Sequence, residues 1–305
     1  MANLEEADKA LKKADKYTKV TLTRWGPDFE KATPLYEKAA SLYKLAKNLE
    51  QAKHCYERAS TGQCRTDNKW LGAKHLESAA SLAKELKQWD EVLDTYKRAA
   101  ELYNEVGRPQ VAAEAYGKAA KAIEAERPDE AIKLYIEAIS VFEEEQKEGL
   151  ASDLYRAAAA SMIKSKKYED AANLFIRWGQ ACDATKAVAS QCKHYLSAII
   201  ILLHAEDLAK AELCYNDLSG VDAFSNSEQG RCASQLLDAY HDKNVDDIKY
   251  IVKDSNVIPH LDHLVVRLAK GLPTGNVIEM KKSANKTLNM KDEEEELGID
   301  EDDMT

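Results

Sequence analysis

The chain has 305 residues, with only 12 Gly and 6 Pro, and its many Ala, Glu, Lys and Leu residues favour helix over sheet. Its formal net charge is −10, but residues 292–305 carry nine acidic residues and no Lys or Arg, which leaves −1 for residues 1–291. A nearly neutral body offers no basic stripe for nucleic acid, and no run of 18 apolar residues suits a membrane-spanning helix.

The cysteines and the first residues indicate the compartment. The six cysteines include no C-x2-C pair, and the start, MANLEE, has no signal-peptide character. Thiols in a helical chain without an export signal are expected to stay reduced. We therefore expect a cytoplasmic protein.

A first helix is followed by a predicted loop over residues 21–28, and two large apolar side chains fall in that loop. Leu22 and Trp25 stand beside Arg24, a combination suited to the lipid headgroup region. An apolar side chain in a loop often contacts something external, here a membrane surface. The alternative is that the loop folds back onto the first helix pair, and both interpretations are open at this point.

From the second helix onward, an aromatic or Leu anchor recurs every 20 residues, with one 19-residue step. A small residue stands four before most anchors and Ala stands three after most, so the three share one helical stripe. This stripe predicts one tightly packed helix per period, with each anchor buried at a helix–helix seam. Two periods approach the repeat length of tetratricopeptide-like arrays. The anchors are Tyr36, Tyr56, Leu76, Tyr96, Tyr116, Tyr135, Tyr155, Phe175, Tyr195 and Tyr215.

The pattern changes in the second half of the chain. Residues 199–203 (IIILL) are apolar around the whole helix, which predicts burial on all sides. We predict an all-α fold: a tetratricopeptide-like right-handed helical solenoid of ~20-residue helices over residues 1–180, a C-terminal helical bundle over 181–272 and a disordered acidic tail over 273–305.

The sequence does not support a catalytic, nucleotide or metal site. It contains no G-x4-G-K-[ST] or G-x-G-x-x-G run that would bring backbone N–H groups to a phosphate. His260-x2-His263 and Cys192-x-His194 have short spacings, but each lacks a second ligand pair, so a core or surface role outweighs metal binding. We expect no enzyme activity and no cofactor.

The acidic end holds one apolar side chain directly after a run of acids. Glu293, Glu294, Glu295 and Glu296 precede Leu297. A pure acid run is usually a solvated tail. A Leu set in such a run can instead dock on a partner while the surrounding charge steers the encounter.

Three stretches resemble the soluble NSF attachment protein (SNAP) family, and the similarity covers about residues 4–272. Residues 22–29 (LTRWGPDF) look like the compact loop of the family's gamma branch. Residues 236–242 (LLDAYHD), followed by 244–246 (NVD), are similar to a stretch shared across the family. Residues 292–297 (DEEEEL) look like the family's acidic end.

The resemblance implies a non-catalytic adaptor that binds syntaxin-type SNARE complexes and recruits and stimulates NSF, a hexameric ATPase, in vesicle trafficking at a membrane surface. It implies that Asp238, Asp242 and the acidic end with Leu297 contact that ATPase, while His241 stands where the family has a third acid.

The SNARE contacts implied by the family do not carry over directly. The alpha branch presents lysines to the SNARE bundle, and the aligned positions here hold Glu114, Asp153 and Ala157. A gamma-type chain is therefore expected to use other SNARE partners or other contact residues. The competing interpretation is a generic tetratricopeptide-like scaffold that clamps peptides with Lys, Arg and Asn, which the nearly neutral body disfavours.

Overall fold

The structure, a computed structural model, describes residues 2–20 and 25–276. In these residues fifteen α-helices and two 3-10 helices follow one another, and no strand occurs, which confirms the predicted all-α class. The helices are α1 (Ala2–Thr18), α2 (Phe29–Leu45), α3 (Leu49–Arg65), α4 (Lys69–Glu85), α5 (Trp89–Glu105), α6 (Pro109–Ile123), α7 (Pro128–Glu144), α8 (Ser152–Lys164), α9 (Tyr168–Ala184), α10 (Val188–His204), α11 (Leu208–Ser219), α12 (Asp222–Ser225), α13 (Glu228–His241), α14 (Val245–Asp254) and α15 (His263–Lys270), with 3-10 turns at Glu148–Ala151 and Ile258–His260.

The chain divides into two compact units, Met1–Ser161 and the part that begins at Met162. In the first unit, α1 to α6 each pack against the helix that follows in sequence, and α7 packs against the 3-10 turn at Glu148–Ala151. The domain boundaries predicted at 180/181 and 272/273 stay predictions. None of the helices in the described residues is long and apolar enough to cross a membrane.

The 20-residue repeat is confirmed as one helix per period. Each anchor from α2 to α7 and from α9 to α11 is the eighth residue of its helix. The small residues that flank the anchors are buried; Ala32 and Ala39, on either side of Tyr36, have no exposed surface. Small side chains let two helix backbones approach closely, and the anchor ring fills the space between them. The buried anchors are Tyr36, Leu76, Tyr96, Tyr135, Tyr155, Phe175 and Tyr195.

The expectation that every anchor is buried is wrong at three positions. Tyr56, Tyr116 and Tyr215 are only half-buried. A tyrosine can bury its ring and leave its hydroxyl at the surface. At Tyr116, burial raises the pKa of the phenol and so do the neighbouring carboxylates of Glu137 and Glu101, which are themselves exposed. The polar end of Tyr116 therefore faces the surface of the first unit.

The connections between successive helices repeat one two-residue design. One residue adopts a positive φ, and the N–H of the next bonds back to a carbonyl five residues earlier, which is the Schellman motif. At Lys47 φ is 60°, and Asn48 donates its N–H to Tyr43 O at 2.9 Å while its Oδ1 accepts from Gln51 N at 3.3 Å. One residue thus closes α2 and caps α3. The positive-φ residues of this series are Lys47, Asp67, Lys87, Gly107, Gln146, Lys166, Lys186, Glu206 and Lys243.

The 19-residue step coincides with a different turn. α6 ends at Ile123 and is two residues shorter than α5, and the N–H of Arg127 bonds to the carbonyl of Ile123, only four residues earlier, at 2.8 Å. No residue between α6 and α7 has a positive φ. The repeat loses one residue here because the chain enters α7 without the left-handed turn.

The second unit is organised around α10. Residues 199–203 are at most 5% exposed, which confirms the predicted burial on all sides. α10 contacts α9, α11, α12, α13 and α15, so no side of it is left for solvent over this stretch. The hydroxyl of Thr274 donates to the carbonyl of His204 at 3.0 Å, which fixes the chain after α15 against the end of α10.

Replacing a buried anchor should cost more than replacing a half-buried one. We expect Tyr155→Ala, at a fully buried ring, to lower the free energy of unfolding by about 3–5 kcal/mol, the range for large-to-small core changes. Tyr116→Ala should cost clearly less, about half as much, because part of its side chain is already in water. Urea unfolding of both variants measures the difference; equal losses would contradict the packing described here.

Two turn positions offer a test of backbone conformation without a change in packing. A Cβ at Gly107 (φ 69°) would meet no atom within 4 Å, so Gly107→Lys should destabilise by about 1 kcal/mol through the left-handed backbone alone. Lys87 occupies the equivalent place (φ 60°), and Lys87→Gly should stabilise by about 0.5–1 kcal/mol. Thermal unfolding checks the opposite signs, and changes of the same sign in the two variants would rule out this explanation.

Candidate functional site

The loop before α2 presents Trp25 to solvent. Its side chain is 95% exposed, so it does not fold back onto the first helix pair. The loop's end is fixed on both sides: the N–H of Asp28 bonds to Tyr17 O at 3.0 Å, and Asp28 Oδ1 accepts from Lys31 N at 3.1 Å as the cap of α2. Leu22, the second predicted contact residue, lies outside the described residues.

A groove of about 600 Å³ in the first unit lies among α6, α7 and α8. Its apolar lining includes Tyr135, Phe142 and Leu154. Leu150, in the turn before α8, also lines it and is 67% exposed. Gly117 allows α8 to approach α6, because a Cβ there would lie 2.6 Å from Leu154 Cδ2.

This groove, called the mixed groove below, brings together the three positions at which the resemblance to the alpha branch implies lysines in that branch. Glu114, Asp153 and Ala157 all line it. Its basic groups are instead Lys118 and Lys121, which follow Glu114 at spacings of four and seven and so share one face of α6. Both basic side chains of the groove therefore come from α6, and three acids, Glu114, Glu124 and Asp153, line it beside them.

The charges in the mixed groove are partly paired. Lys118 Nζ lies 2.6 Å from Glu77 Oε1, and Asp153 Oδ1 accepts from Arg156 Nη1 at 2.8 Å. Lys121 is exposed and has no ion pair among the described residues. An exposed lysine beside apolar side chains can bind an acidic partner without first breaking an internal salt bridge.

A second groove, of about 550 Å³, lies between α13 and α14 in the second unit and is called the acidic groove below. Asp238 and Asp242, the two predicted ATPase contacts on α13, both line this groove. They are four residues apart and therefore lie on one face of the helix. Both are exposed, and neither carboxylate is in an ion pair among the described residues. The further acids that line it are Glu228, Asp247 and Asp254, against one base, Arg231.

Local structure explains why the acids of α13 face outward. Leu236, Leu237 and Tyr240 lie on the other side of the helix and are buried. Asn244 caps α14, its Oδ1 accepting from the N–H groups of both residues 246 and 247 at 3.2 Å. His241 Nε2 lies 2.8 Å from Glu212 Oε1.

The remaining predicted ATPase contacts cannot be placed. Glu293, Glu294, Glu295, Glu296 and Leu297 lie outside the described residues. The structure therefore brings together Asp238 and Asp242 alone among the predicted ATPase-binding residues.

Of the residues singled out by their spacing, Cys192 and His194 are packed within the fold, whereas His260 and His263 are exposed. Burial raises the pKa of all six thiols, to about 12 at Cys55 and about 11 at Cys214. They are thus protonated at neutral pH, whereas nucleophilic attack and metal binding need the thiolate. Cys192 Sγ donates to a backbone carbonyl at 3.3 Å, and the ring of His194 stacks on Trp178 with centroids 3.9 Å apart.

Sequence reasoning missed Lys118, Lys121 and Leu150. The two lysines are three residues apart on a helix whose buried stripe is Ala-rich, and the Leu follows Gly149 in a turn. A lysine pair on a helix and a Leu in a turn can each indicate an exposed contact residue. The sequence contains many other lysine pairs at similar spacing, so this pattern does not single out Lys118 and Lys121. Only the packing of α8 against α6 shows that these three line one groove.

Comparison with known proteins agrees with the resemblance. The family model described as soluble NSF attachment protein, SNAP, matches residues 2–270. The chain is 48% identical over 300 residues to an Arabidopsis thaliana gamma-soluble NSF attachment protein, covering 98% of this chain and 99% of that protein. It is 31% identical to the Dictyostelium discoideum gamma protein (93% and 86% covered) and 25% identical to the mouse alpha protein (86% and 89% covered).

Proposed function

Because the chain belongs to the soluble NSF attachment protein family, we propose that it is an adaptor that binds SNARE complexes and recruits and stimulates the NSF ATPase in vesicle trafficking. The observation that carries this proposal is the similarity over 98% of the chain to a protein whose name states NSF attachment. The adaptor performs no chemistry of its own; the hexameric ATPase supplies it.

The acidic groove is the proposed contact for the ATPase. Five acids against one base give it a negative potential, which would speed the approach of a basic partner surface and fix its orientation. Asp238 and Asp242 stand at the family's acidic positions. The acidic residues Glu293 to Glu296 and the apolar Leu297 are proposed as a further contact with the same partner.

The mixed groove is the proposed contact for a syntaxin-type SNARE bundle. A coiled helical bundle exposes charged side chains along its surface, with acids and bases at e and g positions. Lys118 and Lys121 suit its acids, and Leu150 adds an apolar contact at the edge. A generic peptide-binding scaffold could use the same groove for a single short peptide, and the experiment below separates the two functions.

Two charge-reversal variants of the full chain test the assignment, each serving as the control for the other. Lys118→Glu with Lys121→Glu should lower capture of SNARE complexes by on the order of tenfold and leave ATPase recruitment per captured complex unchanged. Asp238→Lys with Asp242→Lys should leave SNARE capture intact and lower ATPase retention by on the order of tenfold. Quantitative co-precipitation with ATP hydrolysis blocked measures both.

The wild-type chain decides between the function classes in the same assay. An adaptor retains the ATPase only when SNARE complexes are present. Capture of short peptides at the mixed groove with no ATPase in the precipitate would support the scaffold and refute the adaptor.

We further propose a cytoplasmic protein that binds membranes weakly and peripherally through Trp25, together with Leu22. Trp25→Ser should lower liposome binding by about tenfold to a hundredfold, since burying one large apolar side chain is worth about 1.5–3 kcal/mol. Its melting temperature should not change, because the side chain is 95% exposed. Trp70 is the matched control: its ring packs on Tyr103 at 5.0 Å, so Trp70→Ser should lower the melting temperature and keep liposome binding. The reverse pattern would refute the membrane contact.

A further inference from the structure

A third groove, called the lysine-lined groove below, lies on the second unit between α14 and α15. Its volume is about 560 Å³. Apolar side chains line it: Val252, Ile258, Val266 and Leu272, of which Ile258 and Leu272 are almost fully buried. No feature of the proposed adaptor function uses this groove.

Three exposed lysines surround this apolar lining. Lys249 and Lys253 are four residues apart on one face of α14, and Lys270 ends α15. None of the three is in an ion pair among the described residues. Like charges at this helical spacing repel, so an anion between them would stabilise the groove. The groove thus calls for a ligand with several negative charges and an apolar side chain.

The end of the same chain has this composition. Residues 292–305 carry nine acids and no base, and Leu297 follows directly after four glutamates. The intervening residues 277–291 are unsuitable as the ligand because they include Lys281, Lys282, Lys286 and Lys291, which the groove would repel.

The chain is long enough to reach the groove. Leu272, in the groove wall, lies four residues before Asn276, the last described residue. Leu297 lies 21 residues after Asn276, and 21 residues of random-coil chain span roughly 25 Å on average and at most about 70 Å. Such a tether gives the tail an effective concentration on the order of millimolar beside its own groove.

We propose that the acidic end of this chain docks on the lysine-lined groove, with Glu293 to Glu296 beside Lys249, Lys253 and Lys270 and Leu297 in the apolar lining. Docking in the free protein holds the tail away from other basic surfaces. A partner that binds the tail must first displace it from the groove. Binding of that partner therefore depends on how tightly the groove holds the tail. The proposal goes beyond the adaptor function, and its test uses neither the ATPase nor SNARE complexes.

The test measures binding of a fluorescein-labelled peptide of residues 288–305 to full-length chains by anisotropy at low salt. A tail variant carries Glu→Gln at 293, 294, 295 and 296 together with Leu297→Ser, which empties the groove without a change in the folded units. We expect the labelled peptide to bind this variant at least tenfold more tightly than the wild type, whose own tail occupies the groove. Equal affinity for the two chains overturns the proposal, and this comparison needs no change in the groove.

Two further chains locate the site. Both chains carry the tail variant as background. The first adds Lys249→Glu, Lys253→Glu and Lys270→Glu, and it should bind the peptide at least tenfold more weakly. The second is the control and adds changes at three exposed lysines of the first unit, Lys44→Glu, Lys97→Glu and Lys133→Glu, which should not weaken peptide binding. Circular dichroism melting confirms that both chains fold. Equal binding to the two chains would show attraction to any basic surface and would refute the groove.

The apolar contact and the intramolecular geometry are checked separately. A labelled peptide carrying Leu297→Ser should bind about tenfold more weakly than the natural peptide, and equal binding would reduce the contact to charge alone and contradict the proposal. Sedimentation of the wild type should give a monomer. A dimer that dissociates in the tail variant would place the tail on a second copy and overturn docking within one chain.

Discussion

The close approach of neighbouring helix backbones is the constraint on which the rest of the first unit depends. Ala32 stands four residues before the anchor Tyr36, and Ala39 stands three after it. Neither has any exposed surface, so a larger side chain at either place would push two helices apart. Because the anchor is the eighth residue of every helix from α2 to α7, these helices must begin in the same phase. The turn meets this demand by ending one helix and starting the next within a few residues, and at Asn48 and Asn68 the same residue also caps the next helix with its side chain. Lysine can occupy these positive-φ positions because the packing of the helices requires only the backbone conformation of the turn. It makes no demand on the side chain at that position.

Packing occupies one stripe of each helix, and the other faces are free to vary in charge. On α6 the buried stripe includes Ala112 and Ala119, while Glu114, Lys118 and Lys121 are exposed. Glu114, Asp153 and Ala157 are likewise not buried, so the charge at these positions can vary without any change in the fold. The proposed difference in SNARE contacts is a difference in surface charge.

Helix α14 separates two opposite electrostatic environments in the second unit. Asp247 and Asp254 line the acidic groove on one side, and Lys249 and Lys253 line the lysine-lined groove on the other. An acidic tail docked against the lysines would lie away from the acids that are proposed to receive the ATPase. The near-neutral charge of residues 1–291 is thus a balance of local surfaces with strong charge, and it is not a sign of a featureless surface.

The sequence by itself determined the helical class, the 20-residue repeat and the all-round burial of residues 199–203, because side-chain periodicity reports directly which face of a helix is apolar. It also placed Asp238 and Asp242 on one face of α13, since four residues make about one helical turn. Tertiary structure alone decided that Tyr116 is half-buried, that Trp25 stands in solvent and that Lys118, Lys121 and Leu150 line one groove. These properties depend on which neighbouring helix covers a residue, and the distance between residues from different helices is not a function of their spacing along the chain.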